Sequence, residues 1–279
     1  MSLFWWEIVT ATALLLYFGG LWVLWRFQER FIFWRIFSKN LGYPVLPEER
    51  VTLKNQAGNL LEGVFIPHPD PKAPLLLFFD GNRDDATWIA EKKAAFPPCH
   101  LATINYRGYG NSEGLPTQEG IFEDALLVYD HFRRFRQTDP CAVIALGRSL
   151  GTGVASYLAS RRPLDGLILV TPFDSIRAIA SRKYPFFPIK RLLRHPFDSQ
   201  SYLQDNRVPT ALFGVINDTL VPNRCTRSLR NAISHLALEY WSDRSTHATV
   251  FEDPHFFDFI RESFEAFKLP CPDIGSVSC

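Results

Sequence analysis

Residues 8–25 carry no charged side chain, and Leu, Val, Ile, Ala and aromatic residues fill most of the run. A helix of that length rises about 27 Å, close to the hydrocarbon thickness of a bilayer. Trp5 and Trp6 precede the run and Trp22 and Trp25 close it, where interfacial aromatic residues belong. The pattern predicts an N-terminal transmembrane helix. A cleaved signal peptide fits less well, because the apolar run is too long, no basic segment precedes it and no small-x-small site follows. A buried core helix would normally carry a polar stripe.

Beyond this run the pattern changes. Residues 27–37 interleave arginine with aromatic side chains, which suits a juxtamembrane stretch at the lipid interface or a helix packed on the domain that follows. From Tyr43 onward, short apolar runs predict strands at 51–54, 61–66, 75–80, 100–105, 142–146, 166–170, 211–215 and 236–241. Helical patterns fall between most of them, at 86–96, 121–135, 150–160, 176–182, 224–234 and 256–267. Such alternation predicts an α/β architecture, a mostly parallel eight-stranded sheet with helices on both faces. Residues 184–203 break the rhythm: Pro185, Pro188 and Pro196 forbid one continuous helix, so a short cap or lid is expected. Its Lys190, Arg191 and Arg194, with Lys183 just before, suit an anionic headgroup, a charged substrate or plain solvent. The division is therefore an anchor at 1–26, a juxtamembrane segment at 27–42 and one catalytic-size domain at 43–279.

Composition narrows the function. With 47% hydrophobic and 21% charged residues in 279, the chain is globular rather than disordered. A net charge of +1 argues against a nucleic-acid partner, which would demand a basic face. The expected partners are the lipid bilayer and an acyl-ester or thioester substrate; oligomeric state is not legible. Arg26, Arg30, Arg35 and Lys39 follow the anchor, against only Glu7 and the terminal amine before it, and this bias puts the domain on the cytoplasmic side. Asn217-Asp218-Thr219 is the only glycosylation sequon, and a glycan there would crowd a candidate site residue, which agrees with that side. Cys99, Cys141, Cys225, Cys271 and Cys279 form no Cys-x-x-Cys pair and read as reduced thiols, not a disulfide frame or a zinc site. Neither Gly-x-x-x-x-Gly-Lys, His-Glu-x-x-His nor a dinucleotide glycine fingerprint occurs, so no metal or cofactor is expected.

The chemistry centres on Gly147-Arg148-Ser149-Leu150-Gly151, set between an apolar run and a helix-compatible segment. This is the pattern of a nucleophile elbow, where a strand ends, the chain turns sharply through a strained serine and a helix begins at once. A serine hydroxyl is too weak an acid to attack an ester unaided; it needs a histidine base and a carboxylate to orient that base. In a sheet fold with such an elbow the chain order is Ser, acid, His. Asp218 follows the strand expected at 211–215 and His247 follows the one at 236–241. His255 competes for the base role, although it falls in the first turn of the last helix; Asp174 and Asp243 compete for the acid, with a capping and a surface role as their alternatives. An oxyanion needs two preorganised donors. The amide of Leu150, at a helix start, is one; the loop Asp80-Gly81-Asn82-Arg83 offers the amide of Asn82 as the other, or is simply a turn.

With these residues in view, residues 27–267 resemble the α/β-hydrolase superfamily, in particular its single-pass, membrane-anchored branch of bacterial hydrolases and eukaryotic depalmitoylases and lysophospholipases. The resemblance rests on Asp80-Gly81-Asn82, Asn105-Tyr106-Arg107-Gly108-Tyr109-Gly110-Asn111-Ser112-Glu113-Gly114, the elbow continued through Thr152-Gly153, the segment from Asp218 to Pro222, and His247. It implies an α/β-hydrolase fold with Ser149 as nucleophile, Asp218 as acid, His247 as base, and Asn82 and Leu150 as oxyanion donors. Two positions depart from the family pattern: Asp80 stands where His is usual, and Gly214-Val215 alters the usual glycine after the seventh strand. A carboxylate beside an oxyanion hole weakens it unless Arg83, Arg107 or Arg148 neutralises the charge.

The expected function is a membrane-anchored serine hydrolase cleaving an ester or thioester of an acyl lipid or S-acylated protein. A catalytically silent scaffold on the same fold, with Asp80 as its main support, is the alternative from another class. A serine aminopeptidase ranks below both, since no acidic pocket for a free amine is evident.

Overall fold

The computed structural model describes residues 2–38, 43, 45–135 and 138–271. Lys39, the expected boundary at residue 42 and Cys279 lie outside the described residues.

Helix α1 (Ser2–Ile32) runs through the apolar stretch and continues past it. Its 31 residues rise about 46 Å, and it is long and apolar enough to cross a membrane, with none of its most apolar window buried in the protein. The expected juxtamembrane segment splits in two. Ile32 and Phe33 turn into the domain core, whereas Ile36 and Phe37 stay exposed.

The sheet comprises β1 (Arg50–Lys54), β2 (Leu60–Ile66), β3 (Leu75–Phe79), β4 (His100–Ile104), β5 (Val143–Arg148), β6 (Gly166–Val170), β7 (Thr210–Val215) and β8 (Leu236–Ser242). Their spatial order is β1-β2-β4-β3-β5-β6-β7-β8, with β2 alone running antiparallel to the rest. Helices α2 (Gln118–Phe132), α3 (Leu150–Arg161), α4 (Ile176–Lys183), α5 (Ile189–Leu192), α6 (Ser199–Leu203), α7 (Asn223–Ala232) and α8 (Phe256–Ala266) complete the order. The segment expected as a helix at 86–96 is a 3-10 helix, Ala86–Ala95, capped by Asp85 and followed by Pro97 and Pro98.

Strand periodicity sorts the core by face. Leu75, Leu77, Ala145 and Leu167 point to the side of α2 and α3, and their neighbours Leu76, Ile144, Leu146 and Ile168 point to the side of α8. Burial on both faces is why these strands read as continuous apolar runs rather than as alternations.

The proline-rich segment forms a cap, as its composition predicted, and the cap grips α1. Phe187 stacks on Tyr17 with ring centroids 5.5 Å apart, and a side chain at Gly20 would meet the Phe187 ring at 3.0 Å. Gln28 of α1 donates to the Leu192 carbonyl and accepts from the Arg194 amide. Arg194 pairs with Glu29 at 2.6 Å and lies over the Trp25 ring. This cation is therefore spent on holding the cap to α1.

The cysteine expectation needs correcting. Cys141 and Cys271 form a disulfide across a sequence separation of 130, while Cys99 and Cys225 are free and buried. The loop before β5 and the chain after α8 meet at the N-terminal edge of the parallel strands, where Phe267 packs against Gly166 of β6. No local spacing signals a pairing of that kind.

Candidate active site

Strand β5 ends at Arg148 and α3 begins at Leu150, so one residue makes the whole turn. Ser149 has φ 51° and ψ −118°, in a region that side chains other than glycine rarely enter. Neighbouring backbone imposes this. A side chain at Gly147 would sit 2.4 Å from the Gly151 carbonyl oxygen, and one at Gly151 only 1.9 Å from that of Phe79. Only glycine at both positions lets α3 start this close to β3 and lift the hydroxyl clear of the sheet edge.

The loop after β7 carries Asp218, and the loop after β8 carries His247. Parallel strands deliver both to the same edge as Ser149. Ser149 Oγ lies 2.8 Å from Nε2 of His247, and Nδ1 of His247 lies 2.7 Å from Oδ2 of Asp218. The other oxygen of Asp218 accepts from the amides of Leu220 and Val221, both at 2.8 Å, which fixes the carboxylate. His247 and Asp218 are almost wholly shielded from solvent, so their contacts operate where water screens little.

The competing residues stand elsewhere. His255 caps α8 and packs on the Tyr240 ring, Asp174 accepts from the Ser175 amide, and Asp243 is exposed. Asn82 and Leu150 line one cavity together with Ser149 and His247. Leu150 is the first residue of α3, where an amide has no partner within its own helix. The Asn82 carbonyl accepts from the Trp34 amide and the Tyr109 hydroxyl, and its side chain donates to the Ile32 carbonyl. The Tyr106 hydroxyl similarly holds the Asp80 carbonyl at 2.8 Å. The tyrosines of the Asn105–Gly114 run thus buttress the loop that bears Asn82.

Asp80 is buried and its charge is answered. Oδ1 accepts from the Gly81 amide, Oδ2 from the Trp88 indole at 2.6 Å, and Arg148 Nε stands 3.4 Å away as an ion pair. Burial raises the carboxyl above its ordinary range, and Arg148 works against that rise. Arg148 also donates to Asp84 at 2.7 Å. Of the three candidate neutralisers, Arg107 is committed to Asp124 through two 2.7 Å bonds and Arg83 lies over Trp34 and Phe37. The variable residue of the elbow is the one that faces Asp80. Arg148→Met strands that carboxylate and is expected to cost about 3–5 kcal/mol, read by denaturant unfolding in detergent. Asp80→Asn in the same chain should recover part of the loss; no loss in the single variant would refute the pairing.

A further support was not legible from the sequence. Ser242, at the end of β8, donates to Asp253 and accepts from the amides of Arg244 and Ser245. These bonds tie down the loop leading to His247. Burial alone would raise Asp253, yet its bonds to Ser242, the His255 amide and Ser245 hold its carboxyl below the ordinary range.

The cavity at the site measures about 310 Å³ and is mostly apolar, with Phe31, Ile32 and Trp34 from the anchor side and Phe173, Ile176 and Ile179 from the domain.

Three curated relatives and one solved structure are similar to this chain. An uncharacterized protein of Mycobacterium tuberculosis is 31% identical over 222 residues, covering 77% of this chain and 78% of the relative. The alpha/beta hydrolase domain-containing protein WAV2 of Arabidopsis thaliana is 28% identical over 247 residues, covering 77% and 80%. The chain belongs to the α/β-hydrolase superfamily. Zebrafish (Danio rerio) lysophosphatidylserine lipase ABHD12 matches this α/β hydrolase at 40% identity over 129 residues, which is 43% of this chain and 33% of that protein. The crystal structure of an alpha-beta hydrolase from Vibrio vulnificus superposes with a TM-score of 0.61 at 22% identity, covering 77% of this chain and 80% of that one. No family model matches the chain.

Proposed function

We propose that the protein is a membrane-anchored serine hydrolase that cleaves carboxylic ester or thioester bonds of acyl lipids or S-acylated proteins. The observation that carries this reading is the continuous relay Ser149–His247–Asp218, with contacts of 2.8 and 2.7 Å. Ser149 Oγ attacks the acyl carbonyl while His247 Nε2 takes its proton. Asp218 holds the imidazole in the tautomer that leaves Nε2 free and balances the imidazolium. The amides of Leu150 and Asn82 receive the oxyanion. Collapse breaks the carbon–oxygen or carbon–sulfur bond, and the leaving alcohol or thiol takes the proton from His247. Water then attacks the acyl-enzyme by the same route and releases the carboxylic acid. The lipase name of the zebrafish relative supports an acyl-lipid substrate.

The silent-scaffold alternative drew on Asp80, and the Arg148 ion pair weighs against it by compensating that charge. A fluorophosphonate probe separates the two. The wild-type chain is expected to be labelled on Ser149 and Ser149→Ala to stay unlabelled; a folded wild-type protein that takes no label leaves the scaffold standing.

The side of the membrane is part of the same proposal. The cluster Arg26, Arg30, Arg35 and Lys39 favours the cytoplasmic side, whereas the Cys141–Cys271 bond favours an oxidising compartment. A covalent bond within the domain is the more direct reporter of where it resides, so we read the domain as lying across the membrane from the cytoplasm. After denaturation without reductant, Cys141 and Cys271 are expected to resist maleimide while Cys99 and Cys225 react. Modification of all four returns the domain to the cytoplasm.

A further inference from the structure

The catalytic cavity shares a wall with a groove that the hydrolase reading does not use. Phe31, Ile32, Ile176 and Ile179 line the cavity on one side and, on the other, this groove of about 170 Å³ between the anchor helix and α4–α5. Past these shared residues the groove runs between Leu24 of α1 and Ala180, Ile189 and Leu192 of the domain. Almost everything facing it is aliphatic or aromatic. Lys183, Tyr184 and Gln28 are the exceptions, and Gln28 is already satisfied by the cap backbone. From Leu24 to Ile32 the wall extends about 12 Å along the helix axis. Leu24 belongs to the apolar run suited to a bilayer, and Phe187 touches α1 higher still, at Tyr17 and Gly20. One end of the groove therefore lies level with the apolar run of α1, and the other at the four residues it shares with the cavity that holds Ser149.

We infer that this groove is the acyl-chain channel of the enzyme, with the anchor helix as one wall, and that it takes a linear fatty acyl chain directly from the bilayer. The inference rests on the hydrolase reading and narrows its acyl group to a linear fatty chain with a defined seat. Adjacency argues for this occupant: an ester whose carbonyl sits at Ser149 must send its chain somewhere, and the groove just past the four shared apolar residues is the neighbouring apolar space. A straight chain buries its methylenes there without stranding a polar group. A peptide segment would bring amides that the aliphatic walls leave unbonded.

The test compares p-nitrophenyl laurate with p-nitrophenyl acetate on the full chain in nanodiscs. Ala180→Trp obstructs the groove beyond the residues that line the catalytic cavity, and Leu24→Trp does so from the opposite wall. Each is expected to lower the laurate-to-acetate ratio of kcat/KM by at least about tenfold. Ser181→Trp lies on the same helix but faces a polar pocket away from the groove, and it should keep the wild-type ratio. Fluorophosphonate labelling of Ser149 checks that each variant is folded. Ratios within about twofold of wild type in both groove variants, with acetate turned over, overturn the channel and leave the hydrolase reading intact. A wild-type chain that hydrolyses neither ester overturns both.

Discussion

Ser149→Ala is expected to lower kcat for a short acyl ester by about a millionfold, judged from what removing such a nucleophile costs other serine hydrolases. The loss is that large because nothing else at the site can take the acyl group. His247 retains its carboxylate partner, but the atom 2.8 Å from Nε2 is gone. What remains is attack by water, aided only by the oxyanion amides and the bound geometry, a residual of about 10³–10⁴ over the uncatalysed rate. The burst of alcohol or thiol release that marks acyl-enzyme formation should vanish as well. Stability should hardly move, since alanine meets the same unfavourable φ of 51° that serine does. A variant that still turns over substrate with a burst refutes the assignment of Ser149.

Asp218→Asn is the second large effect, expected at about 10⁴ in kcat with the fold unchanged. The carboxylate does two things at once. Oδ2 accepts from Nδ1 of His247 at 2.7 Å, while Oδ1 accepts from two backbone amides. The amides reserve the Oδ1 position for an acceptor, so an asparagine must turn its NH₂ toward His247. The ring then carries its proton on Nε2, the wrong nitrogen to receive one from Ser149. Binding should suffer much less than chemistry, because Asp218 does not line the cavity. Steady-state kinetics on a short ester should show the loss in kcat with KM little altered. A loss confined to KM would remove Asp218 from the relay.

How much of this was legible depended on range in sequence. The elbow could be read because its requirement is local: two glycines, a serine, a strand before and a helix after lie within a few residues. Asp218 and His247 could be proposed because parallel strands send their C-terminal ends to one edge, so chain order stands in for proximity. His255 could be set aside only in three dimensions, where it proves to cap α8. The pairing of Asp80 with Arg148 needed the register of β3 against β5, in which Phe79 faces Gly147. The brace from Ser242 to Asp253 needed the course of an irregular loop. Cys141 and Cys271 are far apart in sequence and carry no spacing cue, so the pattern pointed to thiols. The long N-terminal apolar helix was legible but its reach was underestimated: it continues through Ile32 because no Pro or Gly interrupts residues 21–32 and the apolar face finds the domain core.

The clasp between Phe187 and the Tyr17–Gly20 face of α1, reinforced by Arg194 on Glu29 and Trp25, bears on how the enzyme can be handled. A domain swinging on a floppy tether could be cut loose and purified in water with its chemistry intact. Here the tether is masonry: Phe31, Ile32 and Trp34 are bricks of the reaction chamber itself. Clipping the chain after residue 38 would open the chamber on one side and tear the cap from its support. On the proposed membrane-anchored reading, the depth at which bonds are cut relative to the lipid is fixed by the packing of the cap on α1, not by diffusion of a leash.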